Sequence, residues 1–500
     1  MREIDILCYQ ILSNMKKIRT IVIAVGVTIL FILAAALAII IARGGIIGGN
    51  GGIIETGIIR VSSKPEDVKV FVDGEARTLQ DKQISGLEEK EYKITLAKDG
   101  YSSWEKTIKA RPGIVIELFA QLFPTELNLT EITKTNIDKA FYSRDGQYVV
   151  YVVKSSEIGS DLGIWKLKLT VPTITILQNR PEKISNITTT LTSIVNSNYT
   201  IDFSPDNRYL KIRNLDTDSY YILNSEIYNE ISTPINTDLG YTPDRVEWFD
   251  NSSTLVVSKD NTLFEYDLNQ KTSKLIALTP GGKPVFGLNK DKVIFYDSNH
   301  KRFEVYQAGK SQELKVENIS LPDNVQELYV SELEQSLVIF KTDKGFFYLN
   351  TEKSFLNKIG DNLTMLEFSR DGKVALFTDG KDLLSYTIEE FIAQNRFEAK
   401  INKIIEGYDA SVNFARISSD SQHNVLFSTK DGKRIVEVCD RDGDNLVRLI
   451  DDERIAGFSL SIPVDSSSFF LLLNDEIRQN GETQVLRTNL YELDLKEPRK

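Results

Sequence analysis

An uninterrupted apolar segment is the first pattern along the chain, and it covers residues 20–42 without a charged side chain. A helix of this length would extend about 34 Å at about 1.5 Å per residue, enough to cross a hydrocarbon core of about 30 Å. Basic residues precede it at positions 16, 17 and 19 and follow it at Arg43. The sequence therefore predicts a transmembrane helix over 20–42 with a cytoplasmic tail, residues 1–19.

Two other interpretations of this segment are a buried core helix and a cleaved signal peptide. A buried core helix of such length nearly always has a polar face, and none is present. A cleaved signal peptide would fit the small residues at 36–38, Ala-Leu-Ala. The apolar run continues through Ile41, which favours an uncleaved anchor.

Glycine occupies half of residues 44–57, so this stretch loses too much chain entropy on folding to favour a regular element. We interpret residues 43–57 as a linker. Its random-coil reach is on the order of 20 Å, which would hold the following domains close to the outer face of the membrane.

Strict alternation of apolar and polar residues begins beyond the linker. It predicts strands over residues 68–72 and 92–96, each followed by an Asp-Gly turn, and a third apolar run from Trp104 to Leu118. These strands predict a small antiparallel β-sandwich over residues 58–124.

This stretch resembles the PEGA domain, a β-module of many bacterial and archaeal surface proteins. The resemblance rests on residues 61–65 (VSSKP), 70–74 (VFVDG), Leu87 and Gly100-Tyr101. Two features depart from the family: PEDV stands where Pro-Glu-Gly-Ala is usual, and the Gly-x-Thr-Pro after the first hairpin is absent. The family implies a packing or spacer module outside the cytoplasm, without catalytic residues. Asp73 and Tyr101 are predicted to form a turn and to cap the core, rather than to bind a ligand.

The remaining chain repeats one pattern, in which an apolar strand, a polar turn and a second apolar strand follow each other. The repeats begin 38 to 60 residues apart, a spacing typical of propeller blades rather than helical solenoids. Eight copies begin at Phe141, Ile201, Val246, Val285, Leu328, Leu366, Asn413 and Phe458.

The segments 366–377 (LEFSRDGKVALF), 203–207 (FSPDN) and 435–444 (IVEVCDRDGD) resemble the TolB-like and dipeptidyl-peptidase-type propeller repeat. We therefore expect a mainly β protein with a β-propeller over residues 125–500. Eight blades are favoured, and seven would follow if residues 170–200 are an insertion. A strand near residues 127–133 is expected to close the ring beside the last blade. The hydrolase domain that follows the propeller in dipeptidyl-peptidase-type enzymes is not expected after it here.

Composition and charge restrict the function classes. The 500 residues include 26% charged and 41% hydrophobic residues, and the two cysteines, Cys8 and Cys439, are too distant to predict a disulfide framework. The first 19 residues carry a net charge of about +2, so the rest must carry about −13 to reach the total of −11. An acidic outer portion disfavours nucleic acid and anionic lipid as partners.

Candidate chemistry is sparse. The only histidines, His300 and His423, lie in polar segments read as turns, and no nucleophile elbow or phosphate loop occurs. Asp440, Asp442 and Asp444 have the alternating spacing of a calcium loop, with Asp451 at its twelfth position. Asn445 replaces the required glycine, so a structural hairpin turn is favoured. We expect no catalytic residue, cofactor or metal.

The leading hypothesis is a single-pass membrane protein that presents a non-enzymatic scaffold outside the cell membrane. Its partner would be an envelope protein or a cell-envelope polysaccharide. The alternative is an enzyme or enzyme subunit with its site in the propeller funnel. A sensor that passes signals inward is disfavoured by the short cytoplasmic tail.

Overall fold

The protein is mainly β and divides into two compact units, Met1–Phe123 and Pro124–Lys500. The computed structural model describes residues 23–35, 46–47, 53–54, 56–79, 81–154, 162–169, 180–186, 192, 194, 196–232, 234–249, 252–279, 282–315, 321, 324–334, 336–391, 396–409, 413–418, 422–461, 468–479 and 482–495.

Residues 23–35 form a helix whose side chains are all exposed. No helix in the described ranges is both long and apolar enough to cross a membrane. The rest of the segment 20–42 and the tail 1–19 lie outside the described residues. Within the glycine-rich linker, Ile46–Ile47 pairs antiparallel with Ile53–Ile54, although the glycine content predicts no regular element there.

The remainder of the first unit contains two sheets. The four-stranded sheet is antiparallel and has the order Glu75–Arg77, Lys69–Val72, Glu91–Ala97, Trp104–Lys109. The three-stranded sheet has the order Gln83–Leu87, Gly57–Lys64, Val115–Gln121. The antiparallel prediction was wrong for one pair, because Gly57–Lys64 and Val115–Gln121 run parallel. The first and last strands of the module lie side by side, which no local pattern encodes.

The hydrophobic core of these sheets includes Ile59, Ile94, Leu96 and Trp104, each at most 2% exposed. Asp73 adopts a positive φ of 51°, and its carboxylate accepts a hydrogen bond from the Lys93 backbone at 2.9 Å. Tyr101 packs against the core cluster. Both side chains therefore have the structural positions expected from the sequence.

Eight small sheets make up the described part of the second unit, and we number them by position along the chain. Their strands are, for sheet 1, Ile137–Tyr142, Tyr148–Val153, Gly163–Lys168 and Glu182–Ser185; for sheet 2, Tyr199–Phe203, Tyr209–Asn214 and Ser219–Asn224; for sheet 3, Arg245–Phe249, Thr254–Lys259, Thr262–Asp267 and Thr272–Leu278; for sheet 4, Phe286–Asn289, Lys292–Asp297, Arg302–Gln307 and Lys310–Glu313; for sheet 5, Glu327–Val330, Leu337–Thr342, Gly345–Asn350 and Phe355–Gly360; for sheet 6, Thr364–Phe368, Val374–Thr378, Asp382–Phe391 and Arg396–Glu406; for sheet 7, Phe414–Ile417, His423–Lys430, Lys433–Asp440 and Val447–Asp452; and for sheet 8, Ile455–Ser461, Ser468–Gln479, Glu482–Asp494 and Asn128–Glu131. A short helix, Ile235–Leu239, follows sheet 2.

Each of the eight sequence repeats supplies the first two strands of one sheet. The stretch 170–200 is not simply an insertion, since Glu182–Ser185 is the fourth strand of sheet 1. Much of that stretch lies outside the described residues.

A serine-aspartate turn explains why the repeats form hairpins. In sheets 1, 2 and 6 the serine hydroxyl, Ser143, Ser204 or Ser369, donates to an aspartate two residues later at 2.6–2.7 Å. The same oxygen accepts the backbone N–H that opens the second strand, at 2.9 Å in all three turns. The residue directly after the aspartate has a positive φ and is Gly146, Asn207 or Gly372. Residues that tolerate this conformation complete the turn at little steric cost.

Neighbouring sheets share hydrophobic cores, which fixes their order in space. Such clusters join sheets 1 and 2, 2 and 3, 3 and 4, 4 and 5, 5 and 6, 6 and 7, and finally 8 and 1. Between sheets 7 and 8 the Arg434 guanidinium donates to the carbonyl of Ile455. The eight sheets are therefore connected in a cyclic order.

Sheet 8 combines the two ends of the second unit. Asn128–Glu131 pairs antiparallel with residues 491–494, which confirms the predicted closing strand. The fully buried Asn489 amide donates to the carboxylates of Glu131 and Asp475, at 2.9 Å each. Arg487 also donates to Asp475, at 2.8 Å. A polar network thus links the closing strand to the rest of sheet 8.

Replacing Asn489 with leucine should destabilise this closure. The substitution leaves two half-buried carboxylates without their amide donor, and we expect the free energy of unfolding to fall by about 2–3 kcal/mol. Urea-induced unfolding of the full chain measures the change. The exposed Asn269→Leu on a turn of sheet 3 is the control, and equal effects of the two substitutions would contradict the role of the network.

Candidate binding channel

Contacts between first strands indicate that these strands line the centre of the cyclic arrangement. First strands of neighbouring sheets contact each other in sheets 1 and 2, 4 and 5, 6 and 7, and 8 and 1. Alternate residues of a strand face opposite sides. In sheet 2, for example, Ile201 and Phe203 are buried whereas Asp202 between them is partly exposed. These partly exposed residues line a space, which we call the channel.

Three levels of side chains follow from the strand positions. The turn level contains residues of the turns after the first strands: Arg144, Glu332 and Arg370. The wall level contains residues that stand one or two positions before the end of the first strand in sheets 2, 3, 5, 6 and 7: Asp202, Glu247, Tyr329, Glu367 and Arg416. The entry level lies where the first strands begin: Thr200, Arg245, Glu327 and Phe414.

An ion-pair cluster spans the channel at the turn level. Arg144 Nη1 of sheet 1 lies 3.2 Å from Glu332 Oε1 of sheet 5, and Arg370 Nε of sheet 6 lies 3.0 Å from Glu332 Oε2. Sheets 1 and 5 are four positions apart in the cyclic order, so this contact crosses the centre. The Arg144 side chain is 58% exposed, yet the surrounding protein partly desolvates its charge. The carboxylates of Asp202, Glu332 and Glu247 outweigh this effect and raise the pKa of Arg144 above its usual value.

A second cluster lies at the wall level between sheets 2 and 3. The Lys211 ammonium, whose side chain is 8% exposed, lies 3.3 Å from Asp202 and 3.2 Å from Glu247. Arg245 Nε donates to Glu247 Oε1 at 3.0 Å, and its guanidinium lies 4.4 Å from the centre of the Phe286 ring. Burial alone would raise the pKa of Glu247, but the neighbouring cations lower it to about 2.

The opposite wall has a different electrostatic character. Glu367 Oε2 accepts the backbone N–H of Ile417 at 3.0 Å, yet burial raises the pKa of this carboxyl despite nearby Arg416. Arg416 lies over the Phe414 ring, 5.1 Å from its centre. Glu367 and Glu247 thus line one channel with pKa values shifted in opposite directions.

Sheet 5 contributes a compact hydrogen-bonded group. Tyr329 donates to Glu327 Oε2 at 2.7 Å, and the Lys341 ammonium donates to Glu327 Oε1 at 2.9 Å. Burial, together with this bond, raises the pKa of the Tyr329 phenol far above its usual range. The hydroxyl therefore stays protonated at neutral pH and serves as a fixed hydrogen-bond donor.

The sequence-predicted candidates lie away from the channel residues. Asp440 ends the third strand of sheet 7, and Asp442 and Asp444 belong to the turn that follows. Asp440 accepts a hydrogen bond from the Asn445 amide at 2.9 Å, as expected of a hairpin turn. Asp451 belongs to the next strand and pairs with Arg448 at 3.4 Å. The described ranges contain no group of three His, Cys, Asp or Glu residues arranged to hold a metal.

One histidine was placed wrongly by the sequence analysis. His423 is 3% exposed and begins the second strand of sheet 7 rather than lying in a turn, because Ser418 caps its backbone N–H at 3.0 Å. His300 does occupy a turn, beside Asp297. Sequence reasoning missed the channel residues altogether. The available signal was the polar residue between two apolar ones just before the turn, as in IDFSPDN and LEFSRDG.

Known proteins resemble this chain in part of its sequence and in its fold. No curated protein matches the sequence. Solved structures similar to the chain include the WD40 domain of SCAP from fission yeast, at 12% identity, TM-score 0.40, and coverage of 74% of this chain and 99% of that one. Others are oligogalacturonate lyase from Vibrio parahaemolyticus (12% identity, TM-score 0.37, 74% and 97% coverage) and Hsv2p from Kluyveromyces lactis (12%, 0.38, 64% and 99%). Residues 56–126 match the PEGA domain family, which confirms the resemblance found in the first unit.

Proposed function

We propose that this chain is a membrane-tethered scaffold outside the cytoplasm, whose channel binds a cell-envelope polysaccharide or protein. The uncharged segment 20–42 with its basic flank supports the tether, and the PEGA match supports an extracytoplasmic setting. In this proposal sheets 1–8 are the eight blades of one closed propeller. The cyclic order of shared cores and the closing strand in sheet 8 support that count.

The observation that carries the proposal is the set of compensated charges in the channel. Glu332 has two arginine partners, and Asp202 and Glu247 share Lys211. Paired charges of this kind hold each other in fixed positions, so they present a preformed polar surface. A preformed polar surface suits selective binding.

Retention of envelope fractions by the immobilised full chain tests the proposal. The chain, solubilised in detergent and immobilised through a C-terminal tag, is exposed separately to purified envelope polysaccharide and to solubilised envelope proteins of the source cell. We expect one fraction to be retained, and retention to fall when Glu247→Gln disrupts the channel wall. Retention of neither fraction would contradict the scaffold.

The opposite pKa shifts of Glu367 and Glu247 favour an enzyme as the second candidate. A carboxyl with a raised pKa can donate a proton while one with a lowered pKa stays ionised, a division of roles found in hydrolases of saccharides. Chromatography of envelope polysaccharide after incubation with the chain tests it. Shortened products that disappear with Glu367→Gln would support the enzyme, and an unchanged polymer would reject it.

A further inference from the structure

The two mouths of the channel differ in how they are obstructed. At the turn level, Arg144 and Glu332 connect sheets 1 and 5 directly across the centre, and Arg370 braces Glu332 from sheet 6. At the entry level, the hydrogen bonds and ion pairs of Arg245 and Glu327 stay within their own sheet or reach a neighbouring one. Tyr329 and Lys341 donate hydrogen bonds to Glu327 within sheet 5. Arg245 Nη1 donates to the Phe286 carbonyl oxygen of sheet 4 at 3.1 Å. A ligand would therefore meet the ion-pair cluster as a floor and enter from the side where the first strands begin.

The charge of the channel differs from that of the whole chain. The described residues of its wall and floor, counted with Arg245 of the entry level and with Lys211, which pairs with the wall from the second strand of sheet 2, combine five cationic side chains with four carboxylates. These are Arg144, Arg245, Arg370, Arg416 and Lys211 against Asp202, Glu247, Glu332 and Glu367. The pair formed by Glu327 and Lys341 adds no net charge. A protein with a net charge of −11 thus has a small positive surplus among the described side chains of its channel.

Arg416 is the cation best placed to meet a ligand. It is exposed on the first strand of sheet 7, where it lies over the Phe414 ring. Glu367 is near enough to interact with its charge, but Arg416 forms no ion pair within 4 Å among the described residues. Guanidinium groups bind carboxylate and phosphate oxygens through paired hydrogen bonds. The contact with the Phe414 ring restricts the position of the guanidinium and leaves its charge available to a ligand.

We propose that the channel takes a ligand bearing carboxylate or phosphate groups, which enters at the mouth opposite the turns and reaches Arg416. This inference rests on the proposed binding role of the channel and names the chemistry of its ligand. A saccharide rich in uronic acid and a phosphate-containing polymer share the anionic group that Arg416 would bind.

Binding of labelled polymers to the full chain in detergent tests the ligand class. The probes are inorganic polyphosphate, a hyaluronate oligosaccharide and neutral dextran, each followed by fluorescence anisotropy. We expect at least one anionic probe to bind and dextran not to bind. Arg416→Gln should weaken that binding by about tenfold or more, the usual cost of losing a charged hydrogen bond. Lys310→Gln, which removes one charge from the outer strand of sheet 4, should change it less than about twofold.

Two obstructing substitutions test the direction of entry. Thr200→Trp adds bulk at the entry level and should abolish binding, whereas Leu333→Trp, on the exposed turn beside Glu332, should leave it intact. The reverse result would overturn the proposed entrance. Binding of dextran, binding unaffected by Arg416→Gln, or no binding of either anionic probe would overturn the ligand class.

The two proposals can fail separately. If envelope material is retained equally by the wild type and by Arg416→Gln, and polyanions do not compete, the ligand inference fails while the scaffold stands. If no envelope fraction is retained but a polyanion binds through Arg416, the scaffold fails and the anion site stands.

Discussion

Gly372→Ala should lower the free energy of unfolding by about 2–5 kcal/mol, the sum of a left-handed backbone penalty and an overpacking cost. Gly372 has a φ of +70°, a conformation that alanine adopts only with strain. An added Cβ would lie 2.8 Å from the Ser331 Cβ and 2.9 Å from Leu337 Cβ and Cδ1. These neighbours belong to sheet 5, so the substitution also pushes sheets 5 and 6 apart. Urea-induced unfolding of the full chain gives the value.

Gly432→Ala is the matched control because Gly432 also has a positive φ, +78°, but a Cβ there would meet nothing within 4 Å. It should cost only the backbone penalty, about 1–2 kcal/mol. Equal losses for the two variants would show that the close packing of sheets 5 and 6 at this turn is not present in solution.

Glu247→Gln should remove on the order of 3 kcal/mol of stability at pH 7, as expected when a pKa of about 2 replaces the usual 4.5 in the folded state. The Glu247 side chain is 23% exposed, and its loss leaves Lys211 with only Asp202 as an ionic partner. A buried cation that loses a counter-ion is strongly destabilising. Denaturant unfolding of the wild type and the variant at pH 7 measures the difference.

The pH dependence of that difference has a definite sign. A carboxyl whose pKa is lowered by folding contributes fully above its unfolded pKa and loses the contribution as the pH falls towards the folded value. The wild type and Glu247→Gln should therefore converge in stability as the pH falls from 4.5 towards 2. The exposed Glu406→Gln should match the wild type throughout. A gap between wild type and Glu247→Gln that stays constant over this range would rule out the ionised carboxylate as its source.

Local signals explain which parts of the fold could be predicted from the sequence. The turns at Ser204 and Ser369 depend on a few adjacent residues: a serine, an aspartate two positions later and then a residue that tolerates positive φ. Both turns could therefore be predicted from the sequence. Sheet 4 lacks this motif because its first two strands join through a tight turn at Lys290, where φ is +41°. The apolar strands on either side of this turn were enough to predict the repeat that begins at Val285. The closing strand near residues 127–133 was also predicted, and Asn128–Glu131 does pair with the last strand of sheet 8.

Long-range arrangements explain what could not be predicted. The parallel pairing of Gly57–Lys64 with Val115–Gln121 depends on how the whole module folds back, not on either strand's own residues. The same holds for the channel. Arg144 and Glu332 are 188 positions apart, and only the cyclic order of the sheets brings them together. Both belong to turns after first strands, where the sequence alone does not distinguish them from other polar turn residues.

The proposed role of the channel rests on its first strands meeting the ligand. Hydrogen–deuterium exchange of the full chain, with and without the retained envelope fraction, tests this most directly. We predict slower exchange on binding in Arg245–Phe249, Glu327–Val330 and Phe414–Ile417, the strands that carry Arg245, Tyr329 and Arg416. Protection confined to outer strands such as Thr272–Leu278 and Lys310–Glu313 would contradict the channel as the binding site.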